Sequence, residues 1–248
     1  MKAMVLCAGF GTRLGDLTRE VPKPMLLLEG HPLLAYLLGH LKSHGFDQIA
    51  VNLHFMPETI RSYFGDGSRW KLPLSYSFEE TLLGTAGGLK KMQPCFEQEE
   101  AFLVQYGDVL TDQDFSALLR FHREKRALIT ILIHERSRSN SVVSLDPSGR
   151  IIRFLERPSE EMRASVKSSW VNSGVCVCSP EIFPFIPADR PADLPRDVFA
   201  RLVESGRLYG FPLTGYRCAV DSPERLAEAR LAVAHGRCHI RPLELKPV

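Results

Sequence analysis

The sequence predicts an α/β protein with a mostly parallel, mixed sheet flanked by helices, and a small antiparallel hairpin inserted late in the chain. Three observations carry that expectation. Apolar runs of strand length alternate with segments of helical period through the first 134 residues. Two further apolar runs then flank Asp146-Pro147-Ser148-Gly149, a turn signal. Finally, no internal repeat or low-complexity linker interrupts the chain, so one domain over residues 1–236 is expected, with a first half of about 1–134, a second of about 135–236 and a short tail, 237–248.

Lys2 to Ala8 reads as a buried strand followed by a loop, after which Leu33, Leu34, Leu37, Leu38 and Leu41 recur at helical spacing until Gly45 stops them. Gln48 to His54 is strand-like, Pro57 to Phe64 is a short helix opened by Pro, and Leu74, Tyr76 and Phe78 alternate as a half-buried strand does. A helix near Thr85 to Met92, a strand Ala101 to Tyr106, a helix Phe115 to Lys125 and a strand Leu128 to His134 continue the alternation. The hairpin strands are Ser141 to Leu145 and Ile151 to Leu155. A strand Trp170 to Cys178, a helix around Asp197 to Glu204 and a strand near Tyr216 to Val220 lead to a last helix, with Ser222 as its cap, Pro223 in its first turn and Gly236 at its stop.

Composition narrows the class. In 248 residues, 44% hydrophobic and 24% charged content is that of a globular chain, and a net charge of +2 implies no general nucleic-acid surface. No stretch approaches the roughly 18 apolar residues of a membrane span. The short apolar run at the amino end leads straight into a Gly-rich turn, without the longer apolar region of a signal peptide, so a cytoplasmic protein is expected. The six cysteines include no Cys-x-x-Cys pair and read better as small buried thiols than as zinc ligands or disulfides. His40 and His44 stand four apart on the first predicted helix, but without a third ligand they read as core or surface residues.

The chemistry is concentrated in residues 9–24, Gly-Phe-Gly-Thr-Arg-Leu-Gly-Asp-Leu-Thr-Arg-Glu-Val-Pro-Lys-Pro, directly after the first strand. Glycines allow backbone N–H groups to approach phosphate oxygens, and Thr12, Arg13 and Lys23 add a hydroxyl and two charges. The dinucleotide fingerprint fails because Leu14 holds its third glycine position, and the Walker A spacing fails too. Taken alone, Gly-x-Gly after a strand equally describes a plain turn.

The loop is not alone. Gly-x-Gly-Thr-Arg-Leu followed by Pro-Lys-Pro-Met, with Leu83-Gly84-Thr85-Ala86-Gly87, Gly107-Asp108, Phe154-Leu155-Glu156-Arg157-Pro158 and Val171-Asn172-Ser173-Gly174, resembles the sugar-1-phosphate nucleotidyltransferases over roughly residues 1–234. Asn52-Leu53-His54 and Phe64-Gly65-Asp66-Gly67-Ser68-Arg69 look most like the branch of mannose-1-phosphate and heptose-1-phosphate guanylyltransferases and N-acetylmuramate-1-phosphate uridylyltransferases. The resemblance implies a single Rossmann-like domain, with a nucleotide-binding first half and a sugar-binding second half. It also implies direct attack by a sugar-phosphate oxygen on the α-phosphorus of a nucleoside triphosphate, with Mg²⁺ as cofactor and pyrophosphate as product. No nucleic-acid or membrane partner is implied, and homo-oligomerisation stays open.

Carried residue by residue, the resemblance gives Ala8, Gly9, Gly11, Thr12 and Arg13 to the triphosphate, with Arg13, Lys23 and Asp108 as the catalytic set. Asp108 would bind Mg²⁺, although an Asp after Gly is also a turn former. Glu80, Leu83, Gly84, Thr85 and Gly88 would meet the base; Tyr106, Gly107, Glu156, Arg157, Asn172 and Gly174 would meet the sugar phosphate. Asn172 could instead satisfy a strand edge. An acidic side chain can accept from guanine N1–H and the exocyclic amine, so Glu79 and Glu80 favour GTP, unless they form a merely solvated pair.

Two departures stand out. The Glu-Lys-Pro motif of the family reads Glu156-Arg157-Pro158 here, which keeps the charge in a planar fork. The late Asp-Ile-Gly-Thr-Pro-Glu motif reads Ala219-Val220-Asp221-Ser222-Pro223-Glu224, so Ala219 holds the second metal-ligand position and Asp221 stands two residues on, about 7 Å along a strand. Asp221 is thus a displaced ligand, or Asp108 serves with phosphates and water, or the chain is a catalytically silent nucleotide-sugar sensor. Placement beside the positive end of the last helix would explain Asp221 without metal. The few residues after Gly236 lead to the expectation that the β-helix domain of many relatives, and any acyl transfer with it, is lacking.

Overall fold

A computed structural model describes residues 1–244; the end of the expected tail, residues 245–248, lies outside the described residues. The fold is α/β, with a mostly parallel seven-stranded mixed sheet, flanking helices and small antiparallel pairs. The chain forms two compact units interleaved in sequence: residues 1–82, 104–115 and 214 to the end of the described residues make one, and 83–103 and 116–213 the other.

In the first unit, Lys2–Leu6 pairs in parallel with Gln48–Leu53, which pairs in parallel with Leu74–Phe78. Both faces of such strands are covered, which is why Ala3, Met4 and Val5 are all fully buried rather than alternating. The connecting helix Leu33–Ser43 buries Leu33, Leu34, Leu37, Leu38 and Leu41, and Gly45, at φ 80°, ends the chain's turn out of it. The last helix, Pro223–Ala234, starts as the sequence predicts, with the Ser222 hydroxyl accepting from the Arg225 amide. Val109–Thr111, a strand the sequence does not announce, pairs antiparallel with Arg217–Ala219.

Residues 237–244 run back over the first helix. Cys238, Ile240 and Leu243 are buried, and the Leu243 amide donates to the Ala35 carbonyl at 2.8 Å. The approach is close enough to require glycine at position 39, since a Cβ there would lie 2.3 Å from the Arg241 carbonyl oxygen.

The second unit is built on Ile129–Glu135, parallel to Leu208–Pro212 and antiparallel to Trp170–Cys178. Leu208–Pro212 escapes sequence reading because Gly210 and Pro212 look like turn residues. The expected hairpin forms between Ser141–Leu145 and Ile151–Glu156. Its turn is held by Asp146, whose Oδ1 accepts from the Ser148 amide and hydroxyl and the Arg150 amide; these bonds, the Ser148 hydroxyl foremost, draw its pKa down to about 2. The helix expected around Asp197 to Glu204 begins earlier, as an irregular run from Leu194 that Pro195 opens. Among the described residues no helix is long and apolar enough to cross a membrane.

Gly39→Ala should lower stability by about 2 kcal/mol or more, because the tail or the helix must move to admit the methyl. Urea denaturation with an unchanged m-value would measure it.

Candidate functional site

The first unit carries the Gly-rich loop. Ala8 is buried at the strand's end, while Gly9, Thr12 and Arg13 are exposed. The loop is fixed from beneath: Leu14 is buried, its amide donates to the Gly11 carbonyl, and the buried Thr18 hydroxyl bridges the carbonyls of Gly11 and Gly15. The short turn Lys23–Met25, between prolines, aims Lys23 at Asp108, with Nζ donating to Oδ2 at 2.6 Å.

Asp108 stands just beyond the strand Phe102–Tyr106, where Gly107 presses against the first strand. The Gly107 amide donates to the Leu6 carbonyl at 2.9 Å, and a Cβ at Gly107 would come within 2.7 Å of both Leu6 O and Cys7 Sγ. Burial, and after it the nearby Asp108 charge, pushes the Cys7 thiol far up, so it is a neutral packing group and no nucleophile. The Asp108 carbonyl accepts from the Val220 amide at 2.8 Å, which brings the Ala219–Asp221 segment alongside. Ala219 pairs with Val109 inside the strand. Asp221 lies past it, and its carboxylate accepts from Arg13 Nη1 at 2.8 Å. Arg13, Lys23, Asp108 and Asp221 are therefore linked as two ion pairs around one loop.

Two buried polar residues, Asn52 and Glu79, support this arrangement. Asn52 is buried; its Oδ1 accepts from the Cys7 amide and its Nδ2 donates to Glu79 Oε1 at 2.8 Å. Glu79 is only 1% exposed, and its carbonyl accepts from His54 Nδ1–H, so the alternative of a solvated Glu79–Glu80 pair does not hold for Glu79. Glu80 is exposed. Phe10, 44% exposed, packs edge-on against His54 with ring centres 5.0 Å apart. A polar residue at mid-strand, such as Asn52, is the one available signal, since a buried amide has to be satisfied.

In the second unit, Leu83, Gly84, Thr85 and Gly88 open the helix Gly84–Lys91, and residues 192–194 close over it. The amides of Ala86 and Gly87 donate to the Ala192 carbonyl, while the Thr85 amide donates to Asp193 Oδ1 and the Thr85 hydroxyl accepts from the Leu194 amide. Buried Asp197 fixes Asp193 in turn by accepting from its amide at 2.8 Å. Nothing in the motif letters shows that these amides are committed to a segment more than 100 residues away.

The residues of this unit expected at the sugar phosphate gather around Ser141. Glu156 is its partner across the hairpin, and its hydroxyl accepts from the Asn172 amide at 2.9 Å. Asn172 Oδ1 accepts from the Gly174 amide, within the bulge that interrupts the strand. Asn172 Oδ1 thus settles a bulge within the strand rather than a strand edge. Burial raises the Glu156 pKa against the opposing pull of Arg157. Arg157 is exposed at φ 48°, with Nε 3.9 Å from Glu156 Oε1. Tyr106 and Gly107, also expected at the sugar phosphate, lie with Asp108 in the first unit.

The remaining expectations concern cysteine and histidine. All six cysteines are free, and Cys176 and Cys178 meet at 3.7 Å between sulfurs on one face of their strand. His40 is a core residue whose Nε2–H donates to the Gln113 carbonyl, with its pKa lowered by burial to about 4. Among the described residues no group of three or more His, Cys, Asp or Glu is placed to hold a metal by itself.

Asn52→Leu keeps volume but leaves the Cys7 amide and the Glu79 carboxylate each short of a bond. It should cost about 2–4 kcal/mol, read by urea denaturation.

A family model described as nucleotidyl transferase matches residues 2–232. The chain is 40% identical over 222 residues to a UTP–glucose-1-phosphate uridylyltransferase of Synechocystis, covering 83% of this chain and 56% of that protein. It is 32% identical over 238 residues to a mannose-1-phosphate guanylyltransferase of Mycobacterium tuberculosis, covering 94% and 65%. The chain thus spans less than two thirds of the length of these relatives. HddC from Yersinia pseudotuberculosis superimposes with a TM-score of 0.78 at 20% identity, over 94% of this chain and 99% of that one, which establishes the fold. Motifs, fold and relatives agree, and the chain belongs to the nucleotidyl transferase family.

Proposed function

We propose that the protein transfers a nucleoside monophosphate from a nucleoside triphosphate to a sugar 1-phosphate, releasing pyrophosphate, in the cytoplasm. The observation that carries the reading is the phosphate loop bounded by Lys23 with Asp108 and Arg13 with Asp221. Backbone amides from Gly9 to Thr12 would cradle the triphosphate, Arg13 would hold the departing pyrophosphate, and Lys23 would draw charge from the α-phosphate. Glu156 would accept from sugar hydroxyls and Arg157 would meet the sugar phosphate as a planar fork.

Asp108 and Asp221 are hard oxygen donors, and the lack of a third protein ligand among the described residues suits an ion that completes its shell with phosphate oxygens and water. Mg²⁺ held there would supply neutralisation of charge on the triphosphate. Lys23 and Arg13 would do the rest as cationic donors, and no covalent enzyme intermediate is needed.

For the base, we place UTP with glucose 1-phosphate first. Glu79, one of the two carboxylates favouring guanine, is buried and engaged by Asn52, and the 40% identical relative is named a UTP enzyme. GTP with mannose 1-phosphate or heptose 1-phosphate is the second reading, supported by exposed Glu80 and by guanylyltransferases near 30% identity.

Pyrophosphate release from five nucleoside triphosphates, each with glucose, mannose and heptose 1-phosphates, tests both. UTP with glucose 1-phosphate should turn over fastest, and a GTP preference would reverse the order of the two readings. Asp108→Asn should lower kcat by about 10²-fold or more. Tight nucleotide-sugar binding with no release from any pair would mean a sensor instead.

A further inference from the structure

Both cations of the phosphate loop are already held by carboxylates. Arg13 Nη1 donates to Asp221 Oδ2 at 2.8 Å and Lys23 Nζ donates to Asp108 Oδ2 at 2.6 Å, so two positive and two negative side chains cancel around the loop. A polyphosphate that reaches the loop has to take these cations from their partners. Each carboxylate so released then faces phosphate oxygens of its own sign, which repel it.

The two pairs are not equivalent. Lys23 and Asp108 side chains are 11% and 25% exposed, whereas Arg13 and Asp221 are 70% and 28% exposed. An exposed pair opens at little cost, so Arg13 is the cation that can change partners. Asp221 is held ready for that exchange by its backbone. Its amide donates to the Ala219 carbonyl at 3.0 Å, a tight turn at Val220, whose own amide is anchored on the Asp108 carbonyl at 2.8 Å. Asp221 therefore stays beside Asp108 whether or not Arg13 is bound to it.

We propose that Asp221 is a positioning residue that parks Arg13 and competes with polyphosphate for it. Polyphosphate then binds strongly only when it brings a divalent cation for the carboxylate that Arg13 leaves. The role explains why a carboxylate is kept at 221 while Ala219 occupies the expected ligand position: one side chain serves Arg13 first and the incoming complex second. This inference rests on the reading of the loop as a polyphosphate site.

The test is calorimetric titration of the full chain with inorganic triphosphate, once in EDTA and once with excess Mg²⁺, which needs neither base nor sugar to be known. Asp221→Asn should tighten metal-free binding about tenfold and narrow the gap between the two conditions. In the Asp221→Asn background, Arg13→Ala should cancel the gain. Asp221→Ser serves as the second variant, and a thermal melt of each confirms folding. Unchanged or weaker metal-free binding in both Asp221 variants, or a gain that survives Arg13→Ala, would overturn the proposal. Absence of triphosphate binding by the unaltered protein even with Mg²⁺ would remove the polyphosphate reading itself, and the proposal with it.

Discussion

The ion pair between Lys23 and Asp108 is the contact on which the arrangement of the first unit turns. It joins the Gly-rich loop, whose sequence is local, to a strand end more than 80 residues away, and it does so because Gly107 lets that strand end lie against Leu6 and Cys7. A side chain at 107 would clash with Leu6 and Cys7 and displace Asp108 from Lys23. The Asp108 backbone then anchors Val220, so the same residue that meets Lys23 also sets the place of Asp221 and, through it, of Arg13. Four charged side chains are ordered by one close backbone approach. Their mutual neutralisation reduces the repulsion that like charges crowded on a short loop would otherwise create.

The second unit combines ion pairs, such as Arg190 with Asp197, with hydrogen bonds between neighbouring segments. Ser141 ties Asn172 to the hairpin that presents Glu156, and Asp193 with Asp197 takes up the amides at the start of the helix Gly84–Lys91. A helix start with its amides already committed is rigid, and rigidity suits a surface that discriminates by shape. Glu156 has its pKa raised by burial, against the opposing pull of Arg157.

Much of this was legible in the sequence because it depends on local rules. Strand and helix periods, the Pro57 and Pro223 helix starts, the Ser222 cap and the Asp146 turn each reside in a few adjacent letters. The missed strands Leu208–Pro212 and Val109–Thr111 exist only through partners supplied by other parts of the chain, and their own letters are short or contain Gly and Pro. For the site, motif spacing nominated Arg13, Lys23, Asp108, Glu156 and Asn172 as candidates. It could not identify what each one touches. That Asp221 meets Arg13, that Glu79 is internal, and that Thr85 is bound to the segment around Asp193 are all facts of long-range packing. Asn52 was visible as a polar letter within an apolar strand, a signal of buried hydrogen bonding that names no partner.

The account stands or falls on the Lys23–Asp108 pair as the link that fixes the loop. A double-mutant cycle with Lys23→Met and Asp108→Asn, followed by urea denaturation, measures it most directly. The account predicts that each single variant is destabilised and that the double variant loses less than their sum, by a coupling of about 1–3 kcal/mol. Additivity within about 0.5 kcal/mol would contradict it.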